Sequence, residues 1–374
     1  MSSNPTTITY SSSHTSKYIN MTTSPPHNIL ITGASGYLGG TLLSRWQAAQ
    51  LPSHGTLYAL VRTEQQSQAV QQYGATPLYI NLEDDQNIIK TIIDHEISII
   101  YFLIDAASAR TQVPMIQALG QVRERTGKTV HFLHTSGAKL FSSHAGHPTD
   151  HAFSDADPGL YELQRTAKPS HPWLGPALEA NNTVIATAEA HGVRSYIFIP
   201  CVVYGPGEGF GNRISIQTVA IVKAALKAKR VYRVDSGRPV WPVAHIQDTV
   251  SLYLDLLRKM LLEEALDSGR RGYYLAASGT VAWDDLYSAM AQRLAERGVI
   301  EDATVADAND AVLEKIGEAL SRPKDFVPVE LGGGCVLDAQ HGRQIGWQSQ
   351  YKAEHALTAA KEEVDWILEH LDRA

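Results

Sequence analysis

The chain has 374 residues, 44% of them hydrophobic, with two cysteines and a formal net charge of -7. That apolar share supplies a buried core and excludes wholesale disorder, the length allows two domains, and Lys and Arg (32) do not exceed Asp and Glu (39), which argues against nucleic acid as a partner. Two cysteines, Cys201 and Cys335, are too few for a secreted disulfide framework and too widely separated for a zinc motif, and no run of about 18 apolar residues is available to span a membrane, so a cytoplasmic α/β protein without a membrane partner is expected.

In chain order, residues 1–27 come first, rich in Ser, Thr, Pro and Asn, with Lys17 the one strongly basic residue. They read as a disordered tail rather than a secretory or mitochondrial leader, and Met21 is an available alternative start. An apolar strand at Ile29–Ile31 then runs into Gly33-x-x-Gly36-x-x-Gly39, after which Leu38, Leu42, Trp46 and Ala49 recur at helical spacing. Gly33 permits the turn out of the strand, Gly36 lets the backbone approach a pyrophosphate, and Gly39 lets the helix pack closely on the sheet. The diphosphate would rest on the helix N-terminus, with Ser35, Tyr37 and Leu38 of the same loop as further cofactor contacts. No Lys-Ser/Thr follows the glycines, which excludes a Walker loop.

The second strand, Leu57–Thr63, carries Arg62 where an NAD-specific site carries Asp or Glu. A guanidinium pairs with a 2′-phosphate, so NADP(H) is expected over NAD(H); the plainer alternative is a solvated surface arginine. Further strands at Ala75–Leu82, Ile97–Ile104, Val130–His134 and Val193–Pro200 alternate with helices. Repeated βα units imply a doubly wound parallel sheet with ligand at the carboxyl ends of its strands. At or just past those ends lie Asn81, Leu82, Ala106, Ser136, Pro200 and Val203, which complete the expected cofactor contacts.

Thr-Gly-Ala-Ser-Gly-Tyr-Leu-Gly at 32–39 resembles the glycine motif of the extended short-chain dehydrogenase/reductase family, of the NAD(P)-dependent epimerase/dehydratase type. His134-Thr135-Ser136-Gly137, Pro200-Cys201-Val202-Val203-Tyr204-Gly205-Pro206-Gly207 and Arg343-Gln344-Ile345-Gly346-Trp347 resemble later segments of that family in the family's order, and Asn212–Gln217 resembles its atypical fungal members. The resemblance implies a Rossmann domain over residues 28–205, with 246–277 returning to it. It also implies a smaller C-terminal α/β substrate region over 206–245 and 278–374.

The family's acid–base pair is Tyr-x-x-x-Lys, assisted by a Ser or Thr that holds the substrate oxygen. Counting the family's spacing back from Tyr204 falls on Trp173 and then Ala177, and the Ser/Thr position falls on Gly137, with Ser136 one place early. All three standard positions therefore read as vacant, since indole offers only an N–H and alanine nothing. Tyr161-Glu162-Leu163-Gln164-Arg165 is a rival Tyr-x-x-x-Arg, although Pro169, Pro172 and Pro176 favour a loop there. The candidate catalytic residues are thus Ser136, Tyr161 and Asp105, set against plainer roles as a turn hydroxyl, a loop phenol and an N-cap or loop carboxylate. Tyr204 and His245 are weighed as further polar groups and read mainly as shaping the loop and closing the C-terminal region. The histidines at 131, 134, 144, 147 and 151 have no fixed metal geometry, so no metal is expected.

Beyond residue 205, helices are expected at Gln217–Ala228, Gln247–Leu262, 283–320 and 354–371, and Gly332-Gly333-Gly334 reads as a hinge-like turn. Paired surface helices leave a homodimer as an open expectation. Two functions stay open: an NADP(H)-dependent oxidoreductase or epimerase-like enzyme on a small carbonyl or hydroxyl compound, or a protein that uses the nucleotide fold without hydride transfer. The second would be a cyclase, isomerase or dehydratase, or an NADP(H) sensor.

Overall fold

The computed structural model describes residues 26–371. Of the segment read as a tail, residues 1–25 lie outside the described residues, whereas His27 is buried and its Nδ1 shares a 2.8 Å hydrogen bond with Ser98 Oγ.

The described chain opens with β1 (Asn28–Ile31), α1 (Tyr37–Arg45), β2 (Leu57–Leu60), α2 (Glu64–Gln71), β3 (Thr76–Leu78), α3 (Asp85–Asp94), β4 (Ile97–Phe102), α4 (Gln112–Thr126) and β5 (His131–Thr135). There follow β6 (Phe153–Ser154), α5 (Leu160–Thr166), α6 (Leu174–His191), β7 (Arg194–Pro200), β8 (Val202–Tyr204), α7 (Gln217–Ala228), β9 (Tyr232–Arg233), β10 (Val240–His245), α8 (Ile246–Leu261) and β11 (Tyr273–Ala276). The last part holds β12 (Thr280–Ala282), α9 (Trp283–Glu296), β13 (Ala306–Asp307), α10 (Asp310–Leu320), α11 (Val327–Leu331), β14 (Leu337–Asp338), α12 (Gln340–Gln344), α13 (His355–Thr358) and α14 (Ala360–His370).

Seven strands form one parallel sheet in the order β11-β7-β5-β4-β1-β2-β3. Every residue of β4, Ile-Ser-Ile-Ile-Tyr-Phe, is buried, as a strand covered on both faces requires. The strand order reverses between β1 and β4, and the crevice at their carboxyl ends is the place for a ligand in such a sheet. This is the expected doubly wound α/β fold, with differences at its margins. The strand expected over Ala75–Leu82 shortens to β3, an edge strand, because Pro77 has no N–H to give a ladder. A seventh strand, β11, follows α8, whose Arg258 guanidinium donates to the Gln50 and Ala49 carbonyls just past α1.

β8, β10 and β12 make a smaller sheet beside the main one. The helix expected over 283–320 divides into α9 and α10 around β13, and the final helix divides into α13 and α14. Gly332–Gly334 is a docking point rather than a hinge. A Cβ on Gly332 would collide with the Asp235 carboxylate, the Gly333 carbonyl accepts from Trp283 Nε1 at 3.0 Å, and Gly334 N donates to Ser143 Oγ at 3.1 Å.

Candidate nucleotide and substrate site

The glycine loop is shaped by contact rather than by side chains. Gly33 holds φ +69°, its carbonyl accepts from Gly36 N at 2.9 Å, and a Cβ on Gly39 would run into that same carbonyl. Helix α1 starts after Gly36 with no side-chain cap and no acidic residue in its first turn. Its N-terminal N–H groups and dipole therefore remain available to an anion, which fits the diphosphate expected there. A loop from the C-terminal half secures the cradle from above. Tyr37 Oη donates to the Gly205 carbonyl at 2.6 Å, Asn212 N donates to the Ser35 carbonyl at 2.8 Å, and Gly209 lies so close to Gly40 that neither tolerates a Cβ facing the other.

Arg62 is exposed at the end of β2, its backbone N–H bonded to Gln66 Oε1 at 2.8 Å, and it forms no ion pair among the described residues. Gln66 Nε2 reaches Ser35 Oγ at 3.3 Å and so links this strand end to the glycine loop. Asn81 and Leu82 occupy the turn after β3, where Asn81 N donates to Asn87 Oδ1 and Arg110 donates to the Leu82 carbonyl, both at 2.9 Å.

Beside the loop, a cavity of about 350 Å³ opens at the strand ends. Tyr37, Leu38, Ala106, Ser136, Pro200 and Val203, all expected cofactor contacts, meet in its wall. Leu174 and Ala177 of α6 face them, and Ile216, Gln217, Trp241 and Phe326 from the C-terminal half complete the lining. Ser136 is buried, its N–H donates to the Phe198 carbonyl at 2.8 Å, and its Oγ has no hydrogen-bond partner. The first turn of α6, where the family spacing set its Tyr-x-x-x-Lys, does lie here: Leu174 and Ala177 are in the wall, and the exposed Trp173 next to them has its ring 5.5 Å from that of the wall residue Phe326.

Two candidates are not in the wall, although Asp105 adjoins its residues Ala106 and Ala107. Asp105 is exposed and its Oδ1 accepts from Ala107 N at 2.8 Å, the behaviour of a turn carboxylate. Tyr161 is on α5, not in a loop, and packs under the Arg270 guanidinium, 5.1 Å from its ring, beside the turn that feeds the amino end of β11; the cavity opens at the opposite ends of the strands. Tyr204 and His245 belong to a separate aromatic cluster, with Tyr204 Oη 3.1 Å from His355 Nδ1 and the His245 ring centroid 4.0 Å from that of Tyr351. Burial, then the neighbouring His355 and Arg45, push His245 down to about 4. His131 shares a 2.9 Å bond with Tyr196 Oη, and among the described residues no group of His, Cys, Asp or Glu has the arrangement of a metal site.

One residue of the wall escaped the sequence reading. Lys139, in the turn after β5, donates from Nζ to the Val329 and Glu330 carbonyls at 2.8 and 3.2 Å, with the Glu330 carboxylate 3.6 Å away. Burial draws its ammonium below the ordinary lysine range, against the opposing pull of Glu330. The available signal was a cation three residues after Ser136, close enough to share its side of a tight turn.

The NAD dependent epimerase/dehydratase family model matches residues 29–266. No curated protein sequence matches the chain. Among solved structures, UDP-glucose 4-epimerase of Thermotoga maritima with UDP-glucose superposes with a TM-score of 0.59 at 15% identity, covering 92% of this chain and 99% of that one. A dTDP-glucose 4,6-dehydratase of Bacillus anthracis in complex with NAD gives 0.61 at 14% identity, with 92% and 98% covered. Vestitone reductase of alfalfa gives 0.56 at 15%, with 91% and 98% covered. At these identities the structures attest the fold, which agrees with the strand order and the glycine cradle. Through the match over residues 29–266, the chain belongs to the NAD dependent epimerase/dehydratase family.

Proposed function

We propose that the protein is an NADP(H)-dependent oxidoreductase that moves hydride between the nicotinamide and a small carbonyl or hydroxyl compound seated in the cavity. The observation that carries this reading is a cavity wall in which the glycine-loop residues Tyr37 and Leu38 meet Ser136, whose Oγ, shielded from solvent, has no hydrogen-bond partner. A buried hydroxyl without a partner is costly unless a ligand completes it. The bound cofactor supplies or accepts the hydride. Ser136 donates its O–H to the substrate oxygen and fixes its place, while Arg62 and the N-terminus of α1 hold the cofactor's phosphates.

Proton delivery differs from the family's usual arrangement. Tyr37 is the tyrosine in the cavity wall, and its hydroxyl is engaged with Gly205 O. The Lys139 ammonium is held by the Val329 and Glu330 carbonyls. Water entering at the mouth is then the proton source, which makes the chemical step slow by the roughly 10²–10⁴-fold that a positioned acid contributes. The same shortage of free acids supports a second reading, a non-redox isomerisation or dehydration on the same fold. Incubation of the protein with NADPH and a panel of ketones and aldehydes separates the two: loss of nicotinamide absorbance in step with product supports the first. Substrate conversion at constant absorbance overturns net reduction; an unchanged rate with substrate deuterated at the carbinol carbon then supports the second reading, because hydride passed to the nicotinamide and back would be slowed.

A further inference from the structure

We infer that the substrate is an uncharged, largely apolar carbonyl compound, an aryl or alicyclic ketone, and not a nucleotide-linked sugar; this rests on the reading of the cavity as a substrate site. The substrate side of the wall is made of Leu140, Leu174, Ile216, Trp241 and Phe326. The apolar character continues outward. Ile216 is 66% exposed and Trp173 51% exposed at the mouth, where a polar rim would be the ordinary composition of a soluble surface. An exposed apolar lip contiguous with an apolar cavity suits a ligand that leaves water along its whole length.

Charge points the same way. Lys139 is the one charged side chain in the wall, and its donors are already directed at Val329 O, Glu330 O and the Glu330 carboxylate. Of the arginines on the C-terminal side, Arg233 is held by Asp284 and Asp307 and Arg213 by Gly209 O, while Arg322 lies over the Phe326 ring at 5.3 Å and is not in the wall. The adjoining groove holds Lys223 and Arg322 together with Glu330, but none of the three is in the cavity wall. Hydrogen-bonding capacity sets a further limit. Ser136 Oγ is the one buried, unpartnered side-chain polar atom in the wall, and Gln217 adds one amide. That inventory satisfies a single carbonyl or hydroxyl oxygen, whereas the several hydroxyls of a hexose would be stripped of water and left unpaired.

Calorimetric titration of the full chain tests this independently of turnover, with α-tetralone and menthone as uncharged ketone probes and UDP-glucose as the charged alternative. Each titration is run with and without NADPH, whose own binding is read by its fluorescence. At least one ketone is expected to bind saturably at micromolar to sub-millimolar concentration, with UDP-glucose showing no saturable heat. Ile216→Asp places a carboxylate on the lip at a residue that is 66% exposed, so the fold is retained. It is expected to weaken ketone binding by about tenfold, as loss of a buried apolar contact does, while the melting temperature holds. Saturable UDP-glucose binding, no binding by either ketone, or ketone binding indifferent to Ile216→Asp would each overturn the inference. Failure of NADPH to bind, with the ketone results intact, would instead overturn the proposed cofactor and leave the substrate class standing.

Discussion

At the scale of single residues, two side chains bear most of the functional argument. Ser136 is placed by β5 with its backbone paired to Phe198 and its hydroxyl unpaired. If it orients the reacting oxygen, Ser136→Ala lowers kcat by about a hundredfold in NADPH oxidation while NADPH affinity stays unchanged, the size of effect seen when a preorganised donor is removed. Equal loss in KM and none in kcat would show that it only binds. Arg62 faces solvent with a free guanidinium. Its replacement by Ala is expected to weaken NADPH by about tenfold to a hundredfold, the worth of a charged hydrogen bond, and to leave NADH untouched, as read by fluorescence titration. The glycine cradle was legible in the sequence because close backbone approach demands glycine at set offsets. Lys139 was not, because its surroundings are made by Val329 and Glu330, about half the chain away. Tyr161 misled for the opposite reason: its local pattern resembled an active pair, and only the path of α5 shows that it faces Arg270 instead.

At the scale of elements, a few helices begin on a side-chain cap, whereas α1, α4 and α6 do not. Thr63 caps α2 by accepting from Gln66 N at 3.2 Å, and Asp84 caps α3 by accepting from Gln86 N and Asn87 N at 3.0 and 3.1 Å. By contrast β11, Tyr-Tyr-Leu-Ala, is too short to show a period, and it is a strand because it completes the row beside β7. Helix α8 has an unusual start, with His245 Nδ1 accepting from Gln247 N at 3.3 Å. Only the neutral imidazole can accept there. With its folded value depressed to about 4 against the ordinary 6.5, His245 contributes stability that is complete above 6.5 and is lost as pH falls towards 4. His245→Asn keeps a capping side chain without that titration. Melting curves across this range are expected to show a smaller acid loss for the variant than for the wild type; equal losses would assign the acid sensitivity elsewhere.

At the scale of the whole molecule, the seven-stranded sheet was readable from the repeating alternation of apolar runs and amphipathic segments, and the glycine loop located its crevice. The far wall of the cavity was not readable, since Ile216, Trp241 and Phe326 come from three separate stretches that only the packing of the C-terminal half brings together. That half also closes the nucleotide cradle, where Gly40 and Gly209 meet almost backbone to backbone. Gly209→Val should therefore act at two levels. It forces the loop away from α1 at a cost of about 1–3 kcal/mol in chemical denaturation, typical of overpacking, and it weakens NADPH binding although the added side chain would touch no part of the nucleotide. Unchanged NADPH affinity in a destabilised variant would show that the loop and the cradle are independent.

The bond from Tyr37 to the Gly205 carbonyl spans 168 residues of sequence. A chain emerging from the ribosome amino end first presents Gly33, Gly36 and Gly39 early, yet the strap that braces them is synthesised only after more than half the polypeptide has appeared. The seat for the nucleotide is thus finished only once synthesis has passed the midpoint of the chain, so its brace forms after the loop it holds.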